Sequence, residues 1–236
     1  MRKWVGALVA GVLLLSGCGF DKDSHPVQDE KGSENVEKGL NEQLLAAAER
    51  GDVDEISRLI EKGANINAQD PNGRTPVMIA TYNNDVTAAK VLIDAGADVD
   101  IRDNMKNNVF LYAGAEGYID ILKLAIKAGA DPHITNRYGG VAVIPAAERG
   151  HVDVVELLLT ETDINVNHVN NLGWTALIEA IILNNGGKRQ QEIIGLLIDH
   201  GADVNIPDGD GVTPLEHTRE KGFKEIEKML VKAGAK

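Results

Sequence analysis

An all-α repeat solenoid is the fold class this sequence predicts, and three observations predict it. A glycine-centred motif recurs: EKGANINAQD at 61–70, DAGADVDIRD at 94–103, KAGADPHITN at 127–136 and DHGADVNIPD at 199–208, with KAGAK closing the chain. Gly63, Gly96 and Gly129 stand 33 residues apart, as do Gly201 and Gly234, and the 72 residues between Gly129 and Gly201 are two periods plus six residues. Such a period marks stacked supersecondary units, none of which buries its apolar face alone. Each period also carries helix-start and helix-stop signals. Finally, hydrophobic residues make up 43% of the chain and aromatics only 4%, so the core is built from many small aliphatic contacts.

The first element is MRKWVGALVAGVLLLSGCGF, residues 1–20. Two basic residues, an apolar run too short to span a bilayer, and the small residues Ser16 and Gly17 before Cys18 read as an export signal over residues 1–17. Leu15-Ser16-Gly17-Cys18 resembles the lipobox of bacterial lipoproteins, in which the cysteine is acylated and becomes the first mature residue. The resemblance places lipid on Cys18 and the mature chain at the cell membrane, facing the extracytoplasmic side or periplasm. With no other cysteine, an internal disulfide is excluded. Residues 18–39 are acidic, polar and poor in apolar side chains, and are expected to form a disordered linker.

Six units follow in 40–236: 40–70, 71–103, 104–136, 137–170, 171–208 and 209–236. The second shows the logic. Thr75 caps a short helix whose first residue is Pro76, where a missing N–H costs nothing. Val77, Ile79, Ala80 and Thr81 give it a small buried face, and Asn83-Asn84-Asp85 ends it. A second helix turns Val86, Ala89, Leu92 and Ile93 inward, and Gly96 stops it in a left-handed C-cap. An extended strand and a tight turn are expected next.

A β-turn and two antiparallel helices per period, with GRTP, GWTAL and GVTPL after turns and GADVN after second helices, resembles the ankyrin repeat over 40–236. The first and last units differ as caps should. Several positions depart from the family pattern. The histidine that ties neighbouring turns together is replaced by Met78, Leu111, Ile144, Ile178 and Glu216, so apolar packing has to substitute. Pro145 falls early in the first helix of the fourth unit, and Thr162 stands near its missing C-cap glycine, where a local distortion is expected. A five-residue excess falls around ILNNGGKRQQE, expected as a longer loop between the helices of the fifth unit.

Formal net charge is −12, and removing residues 1–17 takes away Arg2 and Lys3 but no acid, leaving −14. Nucleic acid is disfavoured as a partner because phosphate neutralisation needs clustered Lys and Arg. His25, His133, His151, His168, His200 and His217 never pair at i, i+3 or i+4, which gives no metal-ligand spacing. NNGGKRQ fails as a phosphate loop at both ends, and DGDGVTPLE fails as a calcium loop at its glycine and third oxygen. No catalytic constellation and no cofactor are expected.

The resemblance implies a concave face made by turn tips and first helices. Its candidate partner-binding residues are Arg74, Tyr82, Met105, Asn107, Arg137, Tyr138, Arg149, Leu172 and Trp174, among them the residue types that anchor interfaces. The expected role is a non-catalytic, monomeric scaffold that binds a protein partner and touches the membrane only through its lipid. The alternative is an immunity protein or inhibitor that neutralises a toxin or hydrolase at the cell envelope.

Overall fold

The computed structural model describes residues 28–236, with side chains from residue 35 onward. The expected signal segment 1–17, Cys18 and residues 19–27 of the expected linker lie outside the described residues. Twelve helices occur among the described residues, in six antiparallel pairs: α1 (Gln28–Arg50) with α2 (Val53–Glu61), α3 (Pro76–Tyr82) with α4 (Val86–Asp94), α5 (Val109–Glu116) with α6 (Ile119–Lys127), α7 (Val143–Arg149) with α8 (Val152–Glu161), α9 (Ala176–Ile182) with α10 (Lys188–Asp199), and α11 (Pro214–Lys221) with α12 (Lys224–Lys232). Odd-numbered helices pack on one another in an inner row and even-numbered helices in an outer row. One continuous core runs between the rows, from Leu44 to Leu230.

Local chemistry sets the helix ends. Thr75, Asn108, Thr175 and Thr213 accept hydrogen bonds from the N–H three residues on, and Glu216 completes a capping box with Thr213. Pro145 is the third residue of α7, where its nitrogen would have had no helical acceptor. Met78, Leu111, Ile144 and Ile178, standing where histidines were expected, are all buried. Glu216 is instead exposed in its capping box.

The inner helices approach closely because their facing residues are small. Ala80, Ala113, Ala146, Ala147, Ala176 and Ala180 are all fully buried, and a Cβ on Gly114 would lie 3.1 Å from that of Ala142. Phe110 is the largest fully buried side chain.

Three expectations are corrected. Residues 28–39 belong to α1 instead of forming a structureless linker. The reason is that Leu44, Ala47 and Ala48 fix the helix against the core, and extending an existing helix through Glu- and Lys-rich sequence avoids the cost of nucleation.

No β-strand forms among the described residues, so the extended segments after the C-cap glycines are also corrected. There Asn65, Asp98, Asp131, Asn165 and Asp203 each bond through Oδ1 to the N–H two residues on, at 2.9–3.0 Å, which bends the chain into a turn.

Lastly, the excess in the fifth unit is divided. The connection 183–187 has five residues where 83–85 has three, and α10 has 12 residues where α4 has 9, so most of the insertion lengthens a helix. At Thr162 the expected distortion is present: α8 ends in an extended residue (φ −137°, ψ 165°), and the Thr162 hydroxyl donates to the Leu158 carbonyl at 2.6 Å in place of a glycine cap.

Candidate protein-binding cleft

The cleft is built on the turn tips. Asp70, Asp103, Asn136, Asn170 and Asp208 each accept, on Oδ1, the backbone N–H groups two and four residues on, at 2.8–3.0 Å. One side chain thus closes each tip. The residue three positions after the clamp is left-handed at each of these five tips: Gly73, Gly139, Gly173 and Gly211 take it freely, whereas Lys106 holds φ 61°. Adjacent tips are stitched by Asn104 N–H to Asn72 O and Asn171 N–H to Tyr138 O, both 2.9 Å. Side chains that follow each clamp are therefore presented from a rigid edge.

An open cleft of about 530 Å³ lies between the three central tips and helices α5, α7 and α9. Of the nine residues expected to bind a partner, Met105, Asn107, Arg137, Tyr138, Arg149, Leu172 and Trp174 line it. Arg74 and Tyr82 do not. Arg74 is drawn to Asp70 at 2.8 Å and toward Glu49 at 3.7 Å. Tyr82 donates its hydroxyl to the Asp103 carboxylate, accepts from Asn107 at 3.0 Å, and packs against Tyr112 with ring centroids 4.2 Å apart and planes tilted by 57°. It supports the cleft wall from behind. Burial, followed by the bond to Asp103, pushes the Tyr82 hydroxyl up to about 12.

Glu179, Glu148, Glu116, Tyr112, Asn170 and Leu183 also line it, beside residues such as Ala115, Gly140 and Pro145, and stand outside the nine candidates. Glu179 is 6% exposed, receives 2.9 Å donation from Asn170 Nδ2, and has its carboxyl pushed up to about 7 by burial and then by the nearby Glu148 charge. The sequence did carry a signal for it. Glu179 is the one charged residue of ALIEAII, and a lone acid in a buried helix marks a special site.

Both cations of the cleft are engaged. Arg149 pairs with Glu116 and donates at 2.9 Å to the Ala115 carbonyl, while the Arg137 guanidinium lies 4.8 Å from the Tyr138 ring centroid. The histidines serve local structure: His217 bonds the clamp Asp208 at 2.7 Å, His168 meets the Gly139 carbonyl at 2.6 Å, and burial holds His151 below the usual imidazole range. The arrangement is a surface for non-covalent recognition: aromatic and aliphatic walls, carboxylates at depth, and no nucleophile held by a base.

The family model for ankyrin repeats, in three copies, matches residues 11–103 and 110–208. The chain belongs to the ankyrin-repeat family. Over 82% of its length this ankyrin-repeat protein superposes on 98% of an ankyrin repeat domain from Acinetobacter baumannii AYE, with 52% identity and a TM-score of 0.80. It is 55% identical over 78 residues to the ankyrin repeat protein YahD of Escherichia coli (strain K12), a match spanning 33% of this chain and 39% of YahD. It is also 39% identical over 71 residues to Rabankyrin-5 of Mus musculus, covering 30% of this chain and 6% of that protein. The ankyrin repeat domain of Bcl-3, at 23% identity and a TM-score of 0.74, shares the fold. Ankyrin repeats are protein-interaction scaffolds and in general non-catalytic.

Proposed function

We propose that this protein is a non-catalytic scaffold that binds a protein partner in the cleft of its third to fifth repeats. The observation that carries the reading is the convergence of Met105, Arg137, Tyr138, Arg149, Leu172 and Trp174 on one open cleft, presented from clamped tips. Rigid presentation of Tyr, Trp and Arg lowers the entropy lost on binding and supplies the residue types that dominate interface energy. Lipid on Cys18 would tether the repeats to the extracytoplasmic side of a bacterial membrane or within the periplasm; the order of basic, apolar and small residues before that cysteine supports this location. A more specific role, inhibition of a basic toxin or hydrolase at the envelope, is favoured by the formal charge of −12 and the acidic cleft.

The test is affinity purification from envelope extracts with the intact protein and with a Tyr138→Ala/Trp174→Ala variant. A partner recovered by the first and lost from the second supports the assignment. Equal recovery would remove the cleft from consideration.

A further inference from the structure

Side chains two residues after each tip clamp form a register: Asn72, Met105, Tyr138, Leu172 and Asp210. Only the middle three are apolar, and they are 48%, 52% and 54% exposed. An apolar stripe therefore runs along three tips and stops at polar residues on both sides. It borders the same cleft as Trp174, Glu148 and Glu179.

The charges of the cleft do not balance locally. Arg149 is held by Glu116 and Arg137 by the Tyr138 ring, and among the described residues neither Glu148 nor Glu179 forms an ion pair. The two carboxylates repel each other, and Glu179 keeps its place in a buried helix at a cost in stability. An apolar or acidic guest would desolvate them further without compensation and a neutral donor would compensate only in part, as Asn170 already does for Glu179, whereas a cationic head supplies the missing charge.

We infer that the cleft takes a lysine or arginine side chain of a protein partner, with its cationic head between Glu148 and Glu179 and the partner's neighbouring apolar residues on Met105, Tyr138 and Leu172. The inference rests on the reading that this cleft is the partner-binding surface. Trp174 and Leu183 offer walls for the aliphatic stem, and the indole face adds attraction for the cation. The volume of about 530 Å³ suits one long side chain with part of its flanking backbone. The acidity of the whole chain steers the same class of partner toward it.

The experiment pans random twelve-residue peptides, displayed on phage, against the full-length chain and measures the affinity of a synthesised consensus peptide. The expected consensus contains a lysine or arginine within a few residues of large apolar side chains. Replacing that basic residue by norleucine should weaken binding at least tenfold, as should Glu148→Gln/Glu179→Gln, and the two losses should not add. The norleucine peptide leaves the protein untouched, so this arm does not depend on how the variant folds. A consensus without a basic residue, or a basic peptide indifferent to the double glutamine change, overturns the inference. If that peptide still loses affinity on Tyr138→Ala/Trp174→Ala, the cleft remains the binding surface and only the basic anchor falls. Indifference to both sets of changes removes both readings.

Discussion

Replacing Glu179 by glutamine should make the protein more stable at neutral and alkaline pH while leaving it unchanged in acid. The substitution keeps size and shape, and an amide oxygen can still accept the 2.9 Å hydrogen bond from Asn170. What it removes is a buried charge beside Glu148. The carboxyl titrates at about 7 in the fold against 4.5 when unperturbed. Between those values the folded state holds a proton that the unfolded state has released, so stability falls as pH rises through this window. At ~1.4 kcal/mol per tenfold change in proton affinity, the whole window amounts to ~3 kcal/mol. Glu179 borders an open cleft, and screening by water there reduces the expected gain of Glu179→Gln to ~1–2 kcal/mol at pH 8. Urea unfolding of both proteins at pH 8 and pH 4.5 measures it, with an unchanged m-value and a higher midpoint only at pH 8. A variant less stable at pH 8, or a difference equal at the two pH values, would refute the electrostatic account of this site.

The remaining expectations concern the tips, the caps and the anchor. Lys106→Gly should raise stability by up to ~1 kcal/mol, because the left-handed strain on a lysine exceeds the entropic cost of glycine; thermal melts would show it. Thr162→Val removes the hydroxyl that caps α8 and should lower stability by ~1 kcal/mol in urea unfolding. Asp70 and Asp208 are held below the usual carboxylate range, since tip N–H groups with Arg74 and His217 outweigh the opposing effect of burial. Their contribution is complete above pH ~4 and is lost as pH falls through their folded values, so an acid titration followed by circular dichroism should be shallower in Asp208→Asn. Metabolic labelling with a fatty acid should mark the intact protein and not Cys18→Ala.

Much of this architecture was legible because its determinants are local and repeat. Thr75, Pro76 and Gly96 each dictate a helix end through their own backbone chemistry, and recurrence every 33 residues multiplies the signal. Strand formation after the second helices is overridden because Asp98 and its equivalents accept the N–H two residues on, a competition that period and polarity do not reveal. The start of α1 was missed for the opposite reason: residues 28–39 lack an apolar face, and their helix is propagated from a packed neighbour. Exposed positions could be inferred from repeat register, yet Arg74 is drawn back to Asp70, the clamp of its own tip, and Tyr82 is held by Asp103, the clamp of the next. The importance of Glu179 is not local, because its environment is assembled by Glu148 of α7, the preceding inner helix, and by the tip clamp Asn170.

Whether a protein partner occupies the cleft is tested more directly by proximity than by affinity. A photo-cross-linking phenylalanine analogue placed at position 138 faces the cleft, whereas one at exposed position 156 of α8 lies on the outer row of the same repeat. After irradiation in cells, an adduct to one defined protein is expected from position 138 and none to that protein from position 156. An adduct to that protein from position 156 alone would contradict occupancy of the cleft.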